Sequence, residues 1–319
     1  MKQKNKSIFL IFLILAVAIF FSLLLKNCTK NVESHFETNF SSGKITKKFG
    51  YSSGKNRFSL ASDYIALLYI QGVIQKANRD YNQKWLLETI ETLSEDKKNR
   101  GILLFVDSPG GTVYESDEAY LALLDYKKQT GRPIYAYFAS LAASGGYYIA
   151  SAADYIFANR NTLTGSIGVI AGQSVDATEL MEKIGIKMRT FTAGRNKNMG
   201  GLDQPLTAEQ ADIMQSIADD AYEQFTQIVS DSRNLPIERV REIADGRIYT
   251  ARQAKENQLI DEIASFEEAK NAIEDDLEET LDFIDYKYEY KETLADIFGF
   301  VRSFSEPPRA EIRLEYLAQ

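Results

Sequence analysis

Apolar residues follow three rhythms along this chain. The first is an apolar run at residues 8–25, broken only by Ser22 and preceded by Lys2, Lys4 and Lys6. Eighteen helical residues rise about 27 Å, close to the thickness of a bilayer core, so the run predicts a transmembrane helix. Basic residues ahead of it favour an N-terminus on the inner side. The run is long for a secretory signal and no small-x-small site follows, which favours an uncleaved anchor. The second rhythm is the short apolar block. Residues 64–70, 101–106 and 134–138 each fit a strand buried on both faces. The third is helical spacing, with Trp85, Leu86, Ile90 and Leu93 within residues 79–98, and a further helix at about 114–128. Strands and helices alternating at short intervals predict an α/β fold around a mainly parallel sheet.

Further along, small residues at about 143–153 read as a tightly packed helix, and residues 188–191 as a strand. Thr207-Ala208-Glu209-Gln210 is a capping box opening a long helix, with Ile213, Ile217, Ala221 and Phe225 on its apolar face beside Met214 and Ala218. Another helix starts at Pro236. The acidic run 274–279 reads as a solvated helix face, residues 285–290 alternate in strand fashion, and residues 294–304 suggest an amphipathic tail helix. The resulting division is a cytoplasmic stub and anchor at 1–26, a polar linker with two Ser-Ser-Gly triplets at 27–57, a main domain at 58–275 and a C-terminal extension at 276–319.

Composition narrows the chemistry. The formal charge is −8, and residues 1–30 hold five lysines and no acid, leaving the remainder with 32 basic residues against 45 acidic. That balance argues against a nucleic-acid partner, which requires a basic footprint. Cys28 is the only cysteine, which rules out an intramolecular disulfide and argues against a Cys-rich zinc site; its surroundings match a lipoprotein cleavage site poorly. His35 is the only histidine and lies ten residues past the apolar run, which argues against a Ser-His-Asp triad and a His-rich metal site. No metal or cofactor is expected. An enzyme built on this chain needs another base.

Ser144, in Ser140-Leu-Ala-Ala-Ser-Gly-Gly-Tyr-Tyr148, follows a predicted strand and opens a predicted helix, where an acyl-transfer nucleophile belongs; a tight helix contact built of small residues is the plainer alternative. Gly110 and Gly111, in Ser-Pro-Gly-Gly after the strand 101–106, can supply one oxyanion donor, and the Gly145 N–H a second. An ordinary Pro-Gly turn would look the same. A desolvated lysine can act as base if its pKa falls roughly 3 units from about 10.4. Many lysines are available; Lys197, in a Gly-containing loop after residues 188–191, is one of them.

Four ordered segments resemble the signal peptide peptidase A (protease IV) family of Ser/Lys peptidases: Asp107-Ser-Pro-Gly-Gly111, Ala142-Ala-Ser-Gly-Gly-Tyr-Tyr148, Leu163-Thr-Gly-Ser-Ile-Gly-Val169 and Asp245-Gly-Arg-Ile-Tyr-Thr-Ala-Arg-Gln-Ala254. The likeness covers about residues 60–270, and its single catalytic domain matches the short form of the family. It implies Ser144 as nucleophile, Lys197 as general base, Ser166 as the hydroxyl that orients the lysine, and Gly110, Gly111 and Gly145 as oxyanion donors. Asn196 and Asn198 depart from the family pattern around the lysine. The implied fold is that of Clp protease and crotonase, stacked ββα units, here with an N-terminal transmembrane helix. The implied assembly is a ring-shaped homo-oligomer whose active sites face the inner surface; whether the dyad is completed within a protomer or between neighbours is left open by the resemblance. The implied function is a serine endopeptidase of the bacterial inner membrane, its peptidase domain (58–275) on the outer, periplasmic side, degrading apolar peptides such as signal peptide remnants. The alternatives are a crotonase-type acyl-CoA enzyme and an inactive membrane-tethered scaffold.

Overall fold

Three apolar blocks form the centre of the sheet in the computed structural model, which describes residues 62–290 and a short strand at 315–317. The apolar run 8–25, the linker and the tail helix expected at 294–304 lie outside the described residues. Among the described residues no helix is long and apolar enough to cross a membrane.

Strands β1 (Tyr64–Gln71), β2 (Asn99–Ser108) and β4 (Ile134–Ala143) run parallel, with Leu67 opposite Leu103 and Leu103 opposite Tyr135. The far edge of β1 is taken by β9 (Asp282–Tyr286), also parallel, so the sheet recruits residues past position 275. The first part of β4 pairs with β5 (Tyr155–Ala158) and its end with β6 (Leu163–Gly165). Beyond these lie β8 (Glu262–Ile263), parallel to β5, and β7 (Ile248–Thr250), antiparallel to β6. The short β3 (Gly110–Thr112) leaves the main sheet and pairs antiparallel with β10 (Glu315–Leu317).

Both sheet faces are covered, which explains why these strands read as continuous apolar runs rather than as alternation. Tyr64, Ala66, Leu68 and Ile70 of β1 point into one core layer with Ile102, Leu104, Val106, Ile134, Ala136 and Phe138. Helices α1 (Gln83–Glu95), α2 (Val113–Thr130) and α3 (Gly145–Ala150) pack there. Ile65, Leu67, Leu103, Tyr135 and Tyr137 point the other way, toward Ala269 and Ile273 of α8 (Phe266–Leu277). Each fully buried Ile or Leu contributes about 1.5–3 kcal/mol.

Local chemistry trims the predicted elements. The helix expected over 79–98 begins only at Gln83, because Asn78 Oδ1 accepts the N–H groups of Asp80 and Tyr81 and turns the chain first. Asn82 then caps the helix through the Trp85 N–H at 3.0 Å. The strand expected at 188–191 is absent. Ile184, Ile186 and Met188 alternate along the chain, yet among the described residues they have no ladder partner, and Met188 and Phe191 stand exposed. The alternating pattern expected at 285–290 is shifted to β9. Between β6 and the long helix, the chain carries only α4 (Thr178–Lys183), with no buried residue. The capping box at Thr207 does open that helix, α5 (Ala208–Arg233), but only the distal part of its apolar face, Ala221, Phe225 and Val229, is buried. The remaining helices, α6 (Ile237–Ile243) and α7 (Ala251–Glu256), flank β7.

Candidate active site

Ser144 is the joint between β4 and α3. Its N–H donates to the Gly165 carbonyl at the end of β6 (2.8 Å), and its own carbonyl accepts the Tyr148 N–H (2.9 Å), the first turn of the helix. Between those anchors the backbone is forced to φ 54°, ψ −118°, a conformation that costs a non-glycine residue about 1–3 kcal/mol. The residue is completely buried, and its Oγ has no hydrogen-bond partner among the described residues. An unpaired buried hydroxyl costs a further 1–3 kcal/mol or so. Strain and an orphaned donor thus coincide at one residue. Beneath it α3 is wholly buried. The Tyr147 hydroxyl donates to the Leu259 carbonyl (2.7 Å) and that of Tyr148 to Asp117 Oδ1 (2.7 Å). Burial pushes the Tyr147 phenol far above its usual range, so it remains a donor.

The glycine pair is positioned by hydrogen bonds on one side. Ser108 Oγ donates to the Gly72 carbonyl (2.6 Å) and accepts the Gly110 N–H (3.1 Å). The Gly110 carbonyl accepts the Ile74 N–H (2.8 Å), and the Thr112 N–H donates to the Ile74 carbonyl (2.9 Å). Successive backbone groups of an extended strand point to opposite edges. With Gly110 C=O and Thr112 N–H turned to Ile74, the Gly111 N–H and C=O face the opposite edge. A Cβ built on Gly145 would lie 3.1 Å from the Gly111 nitrogen, so the two segments touch beside Ser144. The choice between Gly110 and Gly111 is thereby narrowed: the Gly110 N–H is occupied by Ser108, and the Gly111 N–H adjoins the Ser144–Gly145 turn.

Ser166, directly after β6, is almost buried at φ 49°, its N–H bonded to the Arg247 carbonyl (2.8 Å). It lines a cavity of about 480 Å³ with Gly168, Tyr222, Asp245 and Gly246. Lys197 lines a second cavity of about 590 Å³ with Met199, Leu206 and Met214; Val169, Ile170, Gln215 and Ala218 border both. Lys197 is exposed, and among the described residues its ammonium makes no ion pair. The fold therefore gathers Ser144, Gly145, Gly110, Gly111 and, through Gly165, Ser166 at one end of β4. It does not bring Lys197 of the same chain to the Ser144 hydroxyl.

A model described as peptidase family S49 matches residues 126–280. A putative signal peptide peptidase SppA from Enterococcus faecium is 38% identical over 216 residues, 66% of this chain and 62% of that protein. A putative protease from Synechocystis is 39% identical over 207 residues, 65% of this chain and 72% of the relative. A putative protease from Methanocaldococcus jannaschii is 32% identical over 234 residues, 70% and 73% of the two chains. The chain belongs to peptidase family S49. The S49 family is one of serine endopeptidases, and the resemblance drawn from the four sequence segments is to the same group.

The S49 match contains Ser144, Ser166 and Lys197, while Gly110 and Gly111 lie upstream of it. Two residues escape sequence reasoning: Ser108, which fixes Gly110, and Ser116, whose Oγ donates to the Thr112 carbonyl (2.8 Å) and fills the space under Gly145. A serine directly before a Pro-Gly turn is a signal for such a backbone-holding hydroxyl, so Ser108 was findable. Ser116 was not, because its role depends on a segment 29 residues away.

Proposed function

We propose that this protein is a membrane-anchored serine endopeptidase in which Ser144 is the nucleophile and Lys197 of an adjoining copy the general base. The observation carrying this reading is the orphaned, fully buried Ser144 hydroxyl on a strained turn beside the Gly111 and Gly145 N–H groups. Neutral Lys197 takes the hydroxyl proton as Oγ attacks a peptide carbonyl, and the developing oxyanion is held by the Gly111 and Gly145 N–H groups. The ammonium protonates the leaving amine. Water then hydrolyses the acyl-enzyme, and Lys197 again manages the proton.

A lysine can do this only when it is desolvated, at a cost of about 4 kcal/mol for 3 pKa units. In the single chain Lys197 is exposed. It sits on an arm, residues 172–206, that carries seven of the twelve large apolar side chains left exposed among the described residues, Phe191 at 92%. Such a patch supports burial against another copy. Ring-like association would cover the arm and deliver Lys197 to a neighbour's serine, with Ser166 orienting it. The substrates would be extended apolar peptides such as signal peptide remnants, met at the outer face of the inner membrane where residues 8–25 would hold the enzyme.

The test is hydrolysis of a fluorogenic apolar peptide by the full chain in detergent. Ser144→Ala and Lys197→Ala should each reduce kcat by about 10³-fold or more. Mixing the two inactive variants and allowing subunits to exchange should restore about a quarter of the activity, since half the protomers keep the serine and half of their neighbours the lysine. Full activity in Lys197→Ala would remove the base from the mechanism. Recovery absent despite proven exchange would place both groups in one chain.

A further inference from the structure

Strand β4 does not keep one register against β2. Val106 lies opposite Phe138 but Ser108 lies opposite Ala142, so Asp107 alone faces Ala139, Ser140 and Leu141. Two residues of β4 are therefore looped out of the ladder, shortly before the turn that carries Ser144. Carried on two places, the observed register sets Ser144 level with Gly110, next to Gly111. An uninterrupted ladder would set it level with Thr112, about 6.6 Å further along. A slip of two residues leaves every side chain on its own face. The apolar pattern of β4 thus fits both registers, and polar groups must choose between them. Three do. The Leu141 N–H donates to Asp107 Oδ1 (3.1 Å), on the side of β2. On the other edge the buried Thr162 hydroxyl lies within hydrogen-bond distance of the Phe138 and Ala139 carbonyls (2.9 and 2.6 Å), and the buried Thr164 hydroxyl donates to the Ala142 carbonyl.

We propose that Asp107 is a positioning residue: its carboxylate holds the two-residue bulge of β4 and so sets Ser144 beside the Gly111 N–H. The proposal rests on the peptidase reading for the roles of those two groups. Thr162 and Thr164 fasten the bulge on the side of β6. Asp107 fastens it to β2, the strand that runs on into the glycine pair. Gly111 follows Asp107 by four residues and Ser144 follows Leu141 by three, so this hydrogen bond ties the two halves of the site within a turn's length of each. The main chain of Asp107 is itself pinned on the far side, its carbonyl accepting the Gly72 N–H (3.0 Å). That leaves the carboxylate a fixed base from which to hold Leu141. A carboxylate is a strong acceptor for a backbone N–H, and a bulge beside a reactive group re-aims the side chain that follows it. Asp107 acts through the backbone of β4 and not on the reacting atoms.

Asp107→Asn and Asp107→Leu both keep the shape of the side chain; the first keeps an acceptor for the Leu141 N–H and the second does not. Each is assayed as the full chain in detergent on the same fluorogenic peptide. Asp107→Leu should lower kcat about 100-fold with KM within about twofold, since a displacement of about 1 Å at a reacting group costs that much in rate. Asp107→Asn should keep kcat within about threefold, because its carbonyl oxygen takes the same place. Should the leucine chain not fold, Asp107→Ala carries the same expectation. Equal kcat in the asparagine and leucine chains overturns the proposal, and so does a loss that falls on KM. Hydrogen–deuterium exchange over residues 138–147, in the Ser144→Ala background, reads the bulge without turnover. Asp107→Leu should speed exchange there about tenfold or more, and Asp107→Asn should not; equal exchange in the two overturns the hold on β4. The same data separate this proposal from the one it rests on. The expected exchange with no hydrolysis by the unsubstituted chain defeats the peptidase reading and leaves Asp107 in place. Hydrolysis with exchange indifferent to residue 107 defeats the positioning role alone.

Discussion

A methyl group added at Gly145 would meet the Ser116 hydroxyl at 2.5 Å, and one added at Gly111 would meet the Ile74 carbonyl oxygen at 1.8 Å. The first obstacle is a side chain that can be removed, and the second is backbone that cannot move without breaking the ladder to Ile74. Gly145→Ala should therefore lower stability by about 1–3 kcal/mol, with a partial recovery in Gly145→Ala/Ser116→Ala, read by urea denaturation. Gly111→Ala should not be rescued by any single side-chain deletion. Ser144 and the glycines beside it were legible at this scale because small residues cluster visibly in the sequence. Their supports were not. Ser116 and Ile74 matter only through contacts that the fold creates, and nothing in their own neighbourhoods marks them.

Elements are fastened by a few polar groups as well as by the two apolar layers. Arg233 at the end of α5 makes a double hydrogen bond to Asp261 (2.6 and 2.9 Å), which also accepts the Ile156 N–H at the start of β5 (2.7 Å). The Arg233 side chain is 7% exposed. Arg233→Ala leaves a half-buried carboxylate unpaired and should cost about 3 kcal/mol, whereas Arg233→Ala/Asp261→Asn should cost less than Arg233→Ala alone. Thr207→Ala removes the capping box of α5 and should cost about 1 kcal/mol, visible as a lower denaturation midpoint. The central strands were legible because burial on both faces writes long apolar runs, and α5 because its cap has a four-residue signature. The strand expected at 188–191 failed for the complementary reason. Apolar residues do alternate just ahead of it, at Ile184, Ile186 and Met188, but among the described residues no strand pairs with them. On the trans-dyad reading those apolar residues meet a second molecule, which a single sequence does not contain.

Across the whole molecule, buried phenols set an alkaline limit. Burial raises Tyr69, Tyr126 and Tyr155 from the usual 10 to about 12, and pushes Tyr64, Tyr81 and Tyr135 beyond that. Between pH 10 and 12 the unfolded chain releases these protons and the folded chain keeps them. The stability they contribute is thus complete below pH 10 and is lost as pH rises. The melting temperature should fall across that window, and more gently in Tyr126→Phe. Association makes a separate expectation: Phe191→Asp should weaken self-association in sedimentation experiments and lower activity at low protein concentration, with the melting temperature little changed. The sheet order also constrains how the molecule is made. β1, among the earliest segments of the domain, acquires its second neighbour only from residues 282–286. A nascent chain halted before that point displays a bare hydrophobic ladder able to stick to other unfinished copies. Messages cut short upstream of position 282 should yield insoluble fragments rather than smaller enzymes, and the same amino acids supplied as a separate peptide should keep such fragments in solution.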